Sequence, residues 1–348
     1  MKKIGVLTSG GDAPGMNSAV MAVAKAANMY GMPLVGIKRG YNGLLRKSTN
    51  VRDDLMEMHL DTVLDIADQP GTYLRTARCK EFLDPEVRKG AAQVLKDMEI
   101  GGLVVIGGDG SFQGAMGLCD LGVPCIGIPG TIDNDLAYTE ITLGYETAVN
   151  VCTEAVRAIR ATSRSHDRPH VVEVMGRHCG DIALKTACAT GAEIVVVPEV
   201  EWSVEEVAAR LNKQLSLGNT RATIIVAEGC WDSMKPFPLV EFMTEHGEPI
   251  LPDQTMNTQY FTRVLKYLCK AEVRCTNVGY VQRGKEPVAA DSAFAFEAGH
   301  LAVKLLRRGI SNQVIGIHQG RVFYMPIDEA LHERRRFHQD LYDLVNSL

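Results

Sequence analysis

Short apolar runs alternate with stretches of helical periodicity along the whole chain, and each kind of segment predicts its own element. The apolar runs predict strands near 3–7, 34–37, 103–106, 123–128, 171–175, 194–197, 222–227, 276–281 and 313–317. The periodic stretches predict helices near 16–30, 86–98, 111–119, 145–161, 181–190, 203–217, 256–270, 289–308 and 327–346. Residues 194–197 are apolar without interruption, as in strands buried on both faces of a parallel sheet. This alternation predicts an α/β fold with doubly wound, mostly parallel sheets.

Size and composition narrow the class of protein. A chain of 348 residues has room for two domains, and 46% hydrophobic with 23% charged residues is typical of soluble globular proteins. No apolar run approaches the roughly 18 residues of a membrane-spanning helix, so we expect no membrane association. The net charge of −5 disfavours nucleic-acid binding, which needs a basic surface.

Cysteine and histidine usage points to a reducing compartment. The nine cysteines include no C-x-x-C pair, and their odd number argues against a disulfide framework. The histidines form no H-E-x-x-H motif, so we expect no zinc site. The first apolar run is too short for a signal peptide, and we therefore expect a cytoplasmic protein.

Glycine-rich loops follow two of the predicted strands. Gly10-Gly11-Asp12 enters the first helix, and Gly107-Gly108-Asp109-Gly110-Ser111 enters the helix near 111–119. Helix N-termini bind anions through free N–H groups, and glycine lets a phosphate approach the backbone. In the second loop Asp109 is a candidate Mg²⁺ contact and Ser111 a candidate helix cap; a tight turn with an exposed aspartate would use the same residues.

Two carboxylates lie two residues apart after the strand near 123–128, within Gly130-Thr131-Ile132-Asp133-Asn134-Asp135. In an extended segment the side chains of Asp133 and Asp135 point the same way, and their repulsion favours one of them as a proton acceptor. This arrangement suits one general base and one metal-facing acid. An Asx-type turn is the structural alternative for the same residues.

Arginines give a further pattern. Met175-Gly176-Arg177 follows the strand near 171–175, where an arginine can hold a phosphate through two parallel hydrogen bonds. A surface arginine is the alternative, and Arg168, Arg274 and Arg283 are open to both interpretations when each is taken alone.

Taken together, these motifs resemble the phosphofructokinase family, and within it the bacterial ATP-dependent 6-phosphofructokinases. The resemblance runs in one order from residue 2 to about 320 and is densest at 3–17, 107–111, 129–135, 172–177 and 282–284. It implies a kinase of glycolysis that transfers the γ-phosphoryl group of ATP to the 1-hydroxyl of fructose 6-phosphate. ATP would be the co-substrate and Mg²⁺ the metal.

The resemblance also implies a role for individual positions. Those matching the nucleotide site are Gly11, Tyr41, Arg78, Cys79, Gly108, Asp109, Gly110 and Ser111, with Asp109 at the Mg²⁺ position. Those matching the sugar-phosphate site are Thr131, Asp133, Asp135, Arg168, Met175, Gly176, Arg177, Glu228, Arg274, Tyr280 and Arg283. Asp133 matches the general base, and the other residues implied in catalysis are Thr131, Arg78 and Arg177.

The architecture that follows from the resemblance has two doubly wound lobes with the active site between them. We expect residues 1–137 plus about 256–300 to form the nucleotide-binding lobe, and 138–255 plus about 301–348 to form the sugar-phosphate lobe. Arg168 and Arg274 match arginines that reach in from a neighbouring subunit. A homo-oligomer with shared sites is therefore implied, and the family's usual form is a homotetramer.

Several positions depart from the family pattern and leave alternatives open. Tyr280 stands where histidine is usual, which questions the choice of sugar phosphate and admits sedoheptulose 7-phosphate as acceptor. Gly110 and Gly130 occupy positions where pyrophosphate-using relatives commonly carry Asp and Lys, so ATP is favoured over pyrophosphate. Met21 replaces an arginine of the usual effector pocket, which Lys25 and Arg160 otherwise match. A sugar-phosphate sensor without turnover is the non-enzymatic alternative.

Overall fold

The computed structural model of the protein describes residues 3–45, 54–250 and 254–347, and the chain forms two compact units. Unit 1 contains Met1–Ala148 and Arg283–Arg336; unit 2 contains Val149–Gln282 and Phe337–Leu348. Their sheets are mostly parallel and flanked by helices, which confirms the predicted fold class. The predicted division of the chain differs from this one. Residues 256–282 belong to unit 2 and residues 301–336 to unit 1, because the strands of those segments pair within the sheets of those units.

Strands and helices alternate along most of the described chain. The strands are β1 Lys3–Thr8, β2 Leu34–Ile37, β3 Leu55–Met58, β4 Ile100–Gly107, β5 Cys125–Pro129, β6 His170–Val174, β7 Ile194–Val196, β8 Thr223–Ala227, β9 Arg274–Asn277, β10 Gln313–His318 and β11 Arg321–Pro326. The helices are α1 Met16–Met29, α2 Leu60–Leu64, α3 Pro85–Asp97, α4 Asp109–Cys119, α5 Tyr145–His166, α6 Asp181–Thr190, α7 Val204–Ser216, α8 Leu239–Glu245, α9 Thr258–Cys269, α10 Ala289–Arg307, α11 Ile327–His332 and α12 Gln339–Val345.

Unit 1 is built on a seven-stranded sheet in the order β11-β10-β5-β4-β1-β2-β3. The five inner strands are parallel, while β3 and β11 pair antiparallel at the two edges. Residues 4–8 of β1 and 102–107 of β4 are buried, as expected for strands covered on both faces. The carboxyl ends of β1, β4 and β5 therefore meet at one edge of the sheet, which is where open α/β sheets bind ligands.

Unit 2 is built on a four-stranded parallel sheet in the order β7-β8-β6-β9. An aromatic group stabilises its core: Trp202 packs edge-on against Phe261 with ring centroids 5.4 Å apart, and Trp231 contacts both rings. Helix α7 begins at a capping box, in which the Ser203 hydroxyl accepts from the Glu206 N–H and the Glu206 carboxylate accepts from the Ser203 N–H.

The structure differs from the predicted elements where the periodicity was misleading. The segment near 276–281 is a strand only at Arg274–Asn277 and then becomes a 3-10 turn, Gly279–Arg283. The single helix expected over 327–346 is two short helices, because the charged run 333–336 carries no apolar residue to continue the stripe. The sequence pattern missed β3 and β11, which are edge strands with mixed exposure. Residues 230–255, rich in proline, glycine and acidic residues, predict an irregular stretch, but 230–233 form a 3-10 helix and 239–245 form α8; residues 251–253 lie outside the described chain.

Within the described residues, no helix is both long enough and apolar enough to cross a lipid bilayer.

Candidate active site

The loops that follow β4 and β5 lie side by side in unit 1. Gly107 is in register with Pro129, and the Gly130 N–H donates to the Gly107 carbonyl at 2.9 Å. A Cβ on Gly108 would lie 3.9 Å from the Cβ of Thr131. The glycine-rich loop and the Thr131–Asp135 segment are thus adjacent, as parallel pairing of their strands requires.

The loop after β1 joins the same edge. The Ser9 N–H donates to the Ile106 carbonyl at 2.9 Å, and the Thr76 hydroxyl donates to the Gly10 carbonyl at 3.0 Å. The Gly10 N–H donates to the Ala77 carbonyl at 3.4 Å, which connects this loop to the segment carrying Arg78. Three sequence-predicted regions therefore gather at one sheet edge.

Helix α4 presents its N-terminus at this edge. It begins at Asp109 with Gly108 as the N-cap, and no side chain caps it; the Ser111 N–H donates to the Gly108 carbonyl at 3.0 Å. Ser111 is not the cap that the sequence suggested. Its side chain is buried, and a Cβ on Gly107 would lie 2.5 Å from its Oγ. Glycine at position 107 is therefore needed for the close approach of Ser111.

Tyr41, Arg78 and Cys79 occupy different depths beside α4. Tyr41 is buried; its phenol donates to the Ser111 carbonyl at 2.5 Å and its ring stacks on Phe82 with centroids 4.0 Å apart. Burial raises the pKa of Tyr41 well above its ordinary value, so the phenol remains a donor. Arg78 is exposed and Cys79 half-buried. Tyr41 thus supports the first turn of α4 from below, while Arg78 is free to reach solvent.

The two aspartates of the Thr131–Asp135 segment do not lie on an extended strand as predicted. Asn134 adopts a left-handed conformation with φ of 52°, and the Thr131 hydroxyl accepts from the Asp133 N–H at 3.2 Å. This turn separates the carboxylates, leaving Asp133 half-buried and Asp135 exposed. The two acids therefore lie in different environments.

Arg283 closes the same region of unit 1. Its Nη1 donates to the carboxylate of Asp12 at 3.2 Å and to the Asp12 carbonyl at 3.4 Å. A Cβ on Gly11 would lie 2.6 Å from that nitrogen. Glycine at position 11 therefore admits the guanidinium beside the loop.

The residues present fit a Mg²⁺ ion that arrives with a nucleotide. Mg²⁺ is usually held by one or two carboxylates together with substrate phosphates and waters. Asp109 supplies one exposed carboxylate at a helix N-terminus, and its Oδ2 accepts from Gln113 Nε2 at 2.7 Å. No group of three or more His, Cys, Asp or Glu side chains in the described residues forms a complete metal site by itself.

Gly110 and Gly130, the positions that favour ATP over pyrophosphate, differ in their surroundings. Apart from its chain neighbours and the backbone of its own helix, no atom lies within 4 Å of a Cβ built on Gly110, so this position is open space in the first turn of α4. A Cβ on Gly130 would lie 2.8 Å from Met16 Cε and 3.0 Å from Ile106 Cγ2. Packing alone therefore requires glycine at 130, whereas glycine at 110 leaves room for a ligand.

In unit 2, Glu228 organises the turn after β6. Its Oε1 accepts from the Arg177 N–H at 2.8 Å and from the Gly176 N–H at 3.3 Å. Gly176 has φ of 144°, a conformation that favours glycine, and the Arg177 side chain is exposed. The Met175 N–H donates to Gln282 Oε1 at 3.2 Å. The predicted residues Met175, Gly176, Arg177 and Glu228 are thus brought together.

Arg168 and Arg274 are also brought together in unit 2. Glu272 bridges them: its Oε2 lies 2.8 Å from Arg168 Nε, and its Oε1 accepts from Arg274 Nη2. Glu272 had no signal in the sequence beyond its place two residues before Arg274. Tyr280 is 81% exposed in the 3-10 turn that follows β9.

A separate polar pocket in unit 2 contains the predicted effector-pocket residue Arg160. Its Nη1 donates to the Thr190 and Gly191 carbonyls at 2.9 and 2.8 Å, and its Nη2 lies 3.1 Å from Glu193. The pocket has a volume of about 230 Å³, and its lining is completed by Arg164, Asn219 and Arg221. In unit 1, Lys25 lies over the ring of Phe296, 5.7 Å from its centroid.

Known proteins resemble this chain over nearly all of its length. A family model described as phosphofructokinase matches residues 3–306. The ATP-dependent 6-phosphofructokinase of Clostridioides difficile is 45% identical over 348 residues, which is 100% of this chain and 99% of that protein. ATP-dependent 6-phosphofructokinase 1 of Clostridium perfringens is 43% identical over the same coverage.

Solved structures agree with these relatives. A structure of phosphofructokinase from Saccharomyces cerevisiae is 34% identical with a TM-score of 0.80; it covers 95% of this chain, which spans 45% of that longer chain. A pyrophosphate-dependent phosphofructokinase from Marinobacter aquaeolei, 18% identical, has a TM-score of 0.81 over 99% of this chain and 91% of its own, and shares the fold. The family match and the full-length identity both confirm the resemblance inferred from the motifs. The chain therefore belongs to the phosphofructokinase family.

Proposed function

We propose that this protein transfers the γ-phosphoryl group of ATP to the 1-hydroxyl of fructose 6-phosphate, giving fructose 1,6-bisphosphate in glycolysis. The observation that carries the proposal is the pairing of the two loops in unit 1. The Gly107–Gly130 hydrogen bond of 2.9 Å places the α4 N-terminus next to the segment that holds Asp133. A phosphate-binding helix end beside a half-buried carboxylate is suited to phosphoryl transfer to a hydroxyl.

The nucleotide phosphates would be held by the loops of unit 1. The α4 N-terminus at Gly108–Gly110 would face the phosphates, and the open space at Gly110 would accommodate them; the Ser111 N–H is already bonded to the Gly108 carbonyl. Arg78 is exposed beside the Gly10 loop and neutralises phosphate charge. Asp109 and the phosphates would together hold Mg²⁺, which would supply further charge neutralisation on the transferred group. Gly11 allows the backbone of the first loop to approach.

Asp133 would act as the general base that accepts the proton of the sugar hydroxyl. Its half-buried position limits access of water, and the bond from its N–H to the Thr131 hydroxyl fixes the backbone from which it projects. A positioned carboxylate base is worth about 10²–10⁴ in rate. The exposed Asp135 remains available for a contact with the sugar.

The sugar phosphate would be recognised by arginines, since several guanidinium groups select a phosphorylated sugar over a free one. The proposed contacts are Met175, Gly176, Arg177, Glu228, Arg168, Arg274, Tyr280 and Arg283. Arg168 and Arg274 would serve the site of a neighbouring subunit, which requires a homo-oligomer, and we propose a homotetramer. Their shared partner Glu272 supports this role because its carboxylate holds the two guanidinium groups close together.

A cytoplasmic location belongs to the same proposal. In the described residues the nine cysteines are thiols, and a chain rich in thiols suits a reducing compartment.

Replacement of Asp133 tests the assignment of the base. Asp133→Ser should lower kcat by about 10²–10⁴ while the KM for fructose 6-phosphate changes little, because the substitution removes a proton acceptor and not a phosphate ligand. The Asp120→Ser variant, which changes an exposed aspartate of unit 1 at the far end of α4, serves as the matched control. Turnover of Asp133→Ser near the wild-type value would show that Asp133 is not the base.

A further inference from the structure

One short segment of unit 1, residues 139–144, returns across the loop that carries Thr131 and Asp133. We call it the return segment. It is fixed at its start, where the Glu140 N–H donates to the Ile317 carbonyl at 3.1 Å, and near its end, where the Leu143 N–H donates to the Pro129 carbonyl at 2.8 Å. Its two ends are thus tied to β10 and β5, which are neighbouring strands of the sheet.

Thr142 connects the return segment to that loop. Its side chain is fully buried, and its hydroxyl donates to the Thr131 carbonyl at 2.7 Å. The Thr142 N–H donates to Asn134 Oδ1 at 2.9 Å, while Asn134 Nδ2 donates to the Glu140 carbonyl at 3.3 Å. Thr142 therefore holds the residue on each side of the Ile132–Asp133 pair: Thr131 before it and Asn134 after it.

The left-handed Asn134 is bound to the return segment. Its φ of 52° sets the turn that separates Asp133 from Asp135; asparagine adopts this region more readily than other non-glycine residues, and hydrogen bonds from its surroundings select it here. Both polar ends of the Asn134 amide are bound to the return segment. The position of Asp133 thus depends on hydrogen bonds made by residues that do not face the ligand-binding edge themselves.

We propose that Thr142 is a positioning residue for catalysis, which sets the place of Asp133 through its hydroxyl bond to Thr131 and its backbone bond to Asn134. This inference rests on the proposed function of Asp133 as the base. Such a residue changes the rate through geometry, because displacement of a reacting group by about 1 Å costs about 10²-fold in rate.

Two substitutions separate the hydroxyl from the shape of the side chain. Thr142→Val puts a methyl group where the hydroxyl lies 2.7 Å from the Thr131 carbonyl, and a carbon needs about 3.3 Å or more from an oxygen, so the loop must move by roughly half an ångström. Thr142→Ser keeps the hydroxyl and its bond. Thr262→Val is the matched control, since Thr262 is also buried and also donates to a backbone carbonyl at 2.7 Å, but on α9 in unit 2.

The kinetic test uses kcat, both KM values and a double-mutant cycle with Asp133→Ser. We expect Thr142→Val to lower kcat about 10-fold or more with the KM for ATP and for fructose 6-phosphate changed by less than about threefold. Thr142→Ser and Thr262→Val should keep kcat near the wild-type value. In the Asp133→Ser background, Thr142→Val should cause no further loss, because there is no base left to position.

Four outcomes would overturn the inference. Equal losses for Thr142→Val and Thr142→Ser would show that shape, not the hydroxyl, matters. Additive losses in the double mutant would show that Thr142 does not act through Asp133. Normal turnover of Asp133→Ser would refute the base assignment as well, whereas an inactive Asp133→Ser with a fully active Thr142→Val would refute only the positioning role.

Discussion

A buried carboxylate outside the ligand-binding edge supplies the most direct test of the fold of unit 1. Asp291 on α10 is 1% exposed. It accepts from the Gly144 N–H at 2.8 Å, the Thr147 N–H at 2.8 Å and the Thr147 hydroxyl at 2.6 Å. These bonds fix the chain at the end of the return segment and the first turn of α5, where an acidic partner also complements the helix dipole.

Asp291→Ala would leave three buried donors without their acceptor. Each such group costs about 1–3 kcal/mol. Burial raises the pKa of Asp291, so its removal also relieves an unfavourable desolvation, and we use the lower end of that range. The expected loss is about 3 kcal/mol in the free energy of unfolding. For a folded unit of roughly 200 residues this corresponds to a fall in Tm of about 6–12 °C.

The assay is thermal unfolding followed by circular dichroism at equal protein concentrations. Glu297→Ala is the control because Glu297 is an exposed acid on the same helix, and its replacement should change stability by less than about 0.5 kcal/mol. A fall in Tm of less than about 2 °C for Asp291→Ala, or equal shifts for the two variants, would refute the assignment of Asp291 as the anchor of this segment.

Three further predictions address other parts of the chain. Glu228→Ala should raise the KM for fructose 6-phosphate about 10-fold or more in steady-state kinetics, because the Gly176 and Arg177 N–H groups lose their shared acceptor. An unchanged KM would show that this turn does not belong to the sugar site. Gly110→Asp should leave Tm unchanged, because a side chain at this position projects into open space. It should lower kcat/KM for ATP about 10-fold, because the new carboxylate repels the phosphates. Kinetics equal to those of the wild type would refute the assignment of this space to the nucleotide. In peptide mapping after brief alkylation at neutral pH, Cys119 should react before Cys152. Hydrogen bonding to Cys125 lowers the pKa of the half-buried Cys119 and increases its thiolate fraction, whereas burial raises the pKa of Cys152 to about 12. The reverse order of reaction would contradict these environments.

Periodicity and glycine placement predicted most of the fold because the central strands and long helices carry strong apolar patterns. Strands β1, β4 and β5 are buried on both faces, and short continuous apolar runs that alternate with helical segments indicate buried strands of this kind. Edge strands β3 and β11 escaped detection since they bury only part of their surface. Their existence depends on a neighbouring strand that is distant in sequence, which a local pattern does not report.

In the candidate site, too, some residues have a local sequence signal and others do not. Local motifs predicted the glycine loops and Asp133, and adjacency of β4 and β5 then brought them together. The supporting residues Thr142, Asp291 and Glu272 had no comparable signal, because a single Thr, Asp or Glu becomes a support only through a partner that folding places beside it. The turn at Asn134 overturned the extended geometry for the same reason: its amide binds the return segment, and that contact outweighs the local preference for an extended chain.

The proposed reaction can be measured in a coupled assay with purified protein, Mg²⁺ and fructose 6-phosphate, in which ATP and pyrophosphate are offered in parallel. We expect formation of fructose 1,6-bisphosphate and ADP with ATP, and little or no turnover with pyrophosphate. Turnover with pyrophosphate alone would contradict the donor argument from Gly110. Absence of turnover with both donors would contradict the proposed reaction itself.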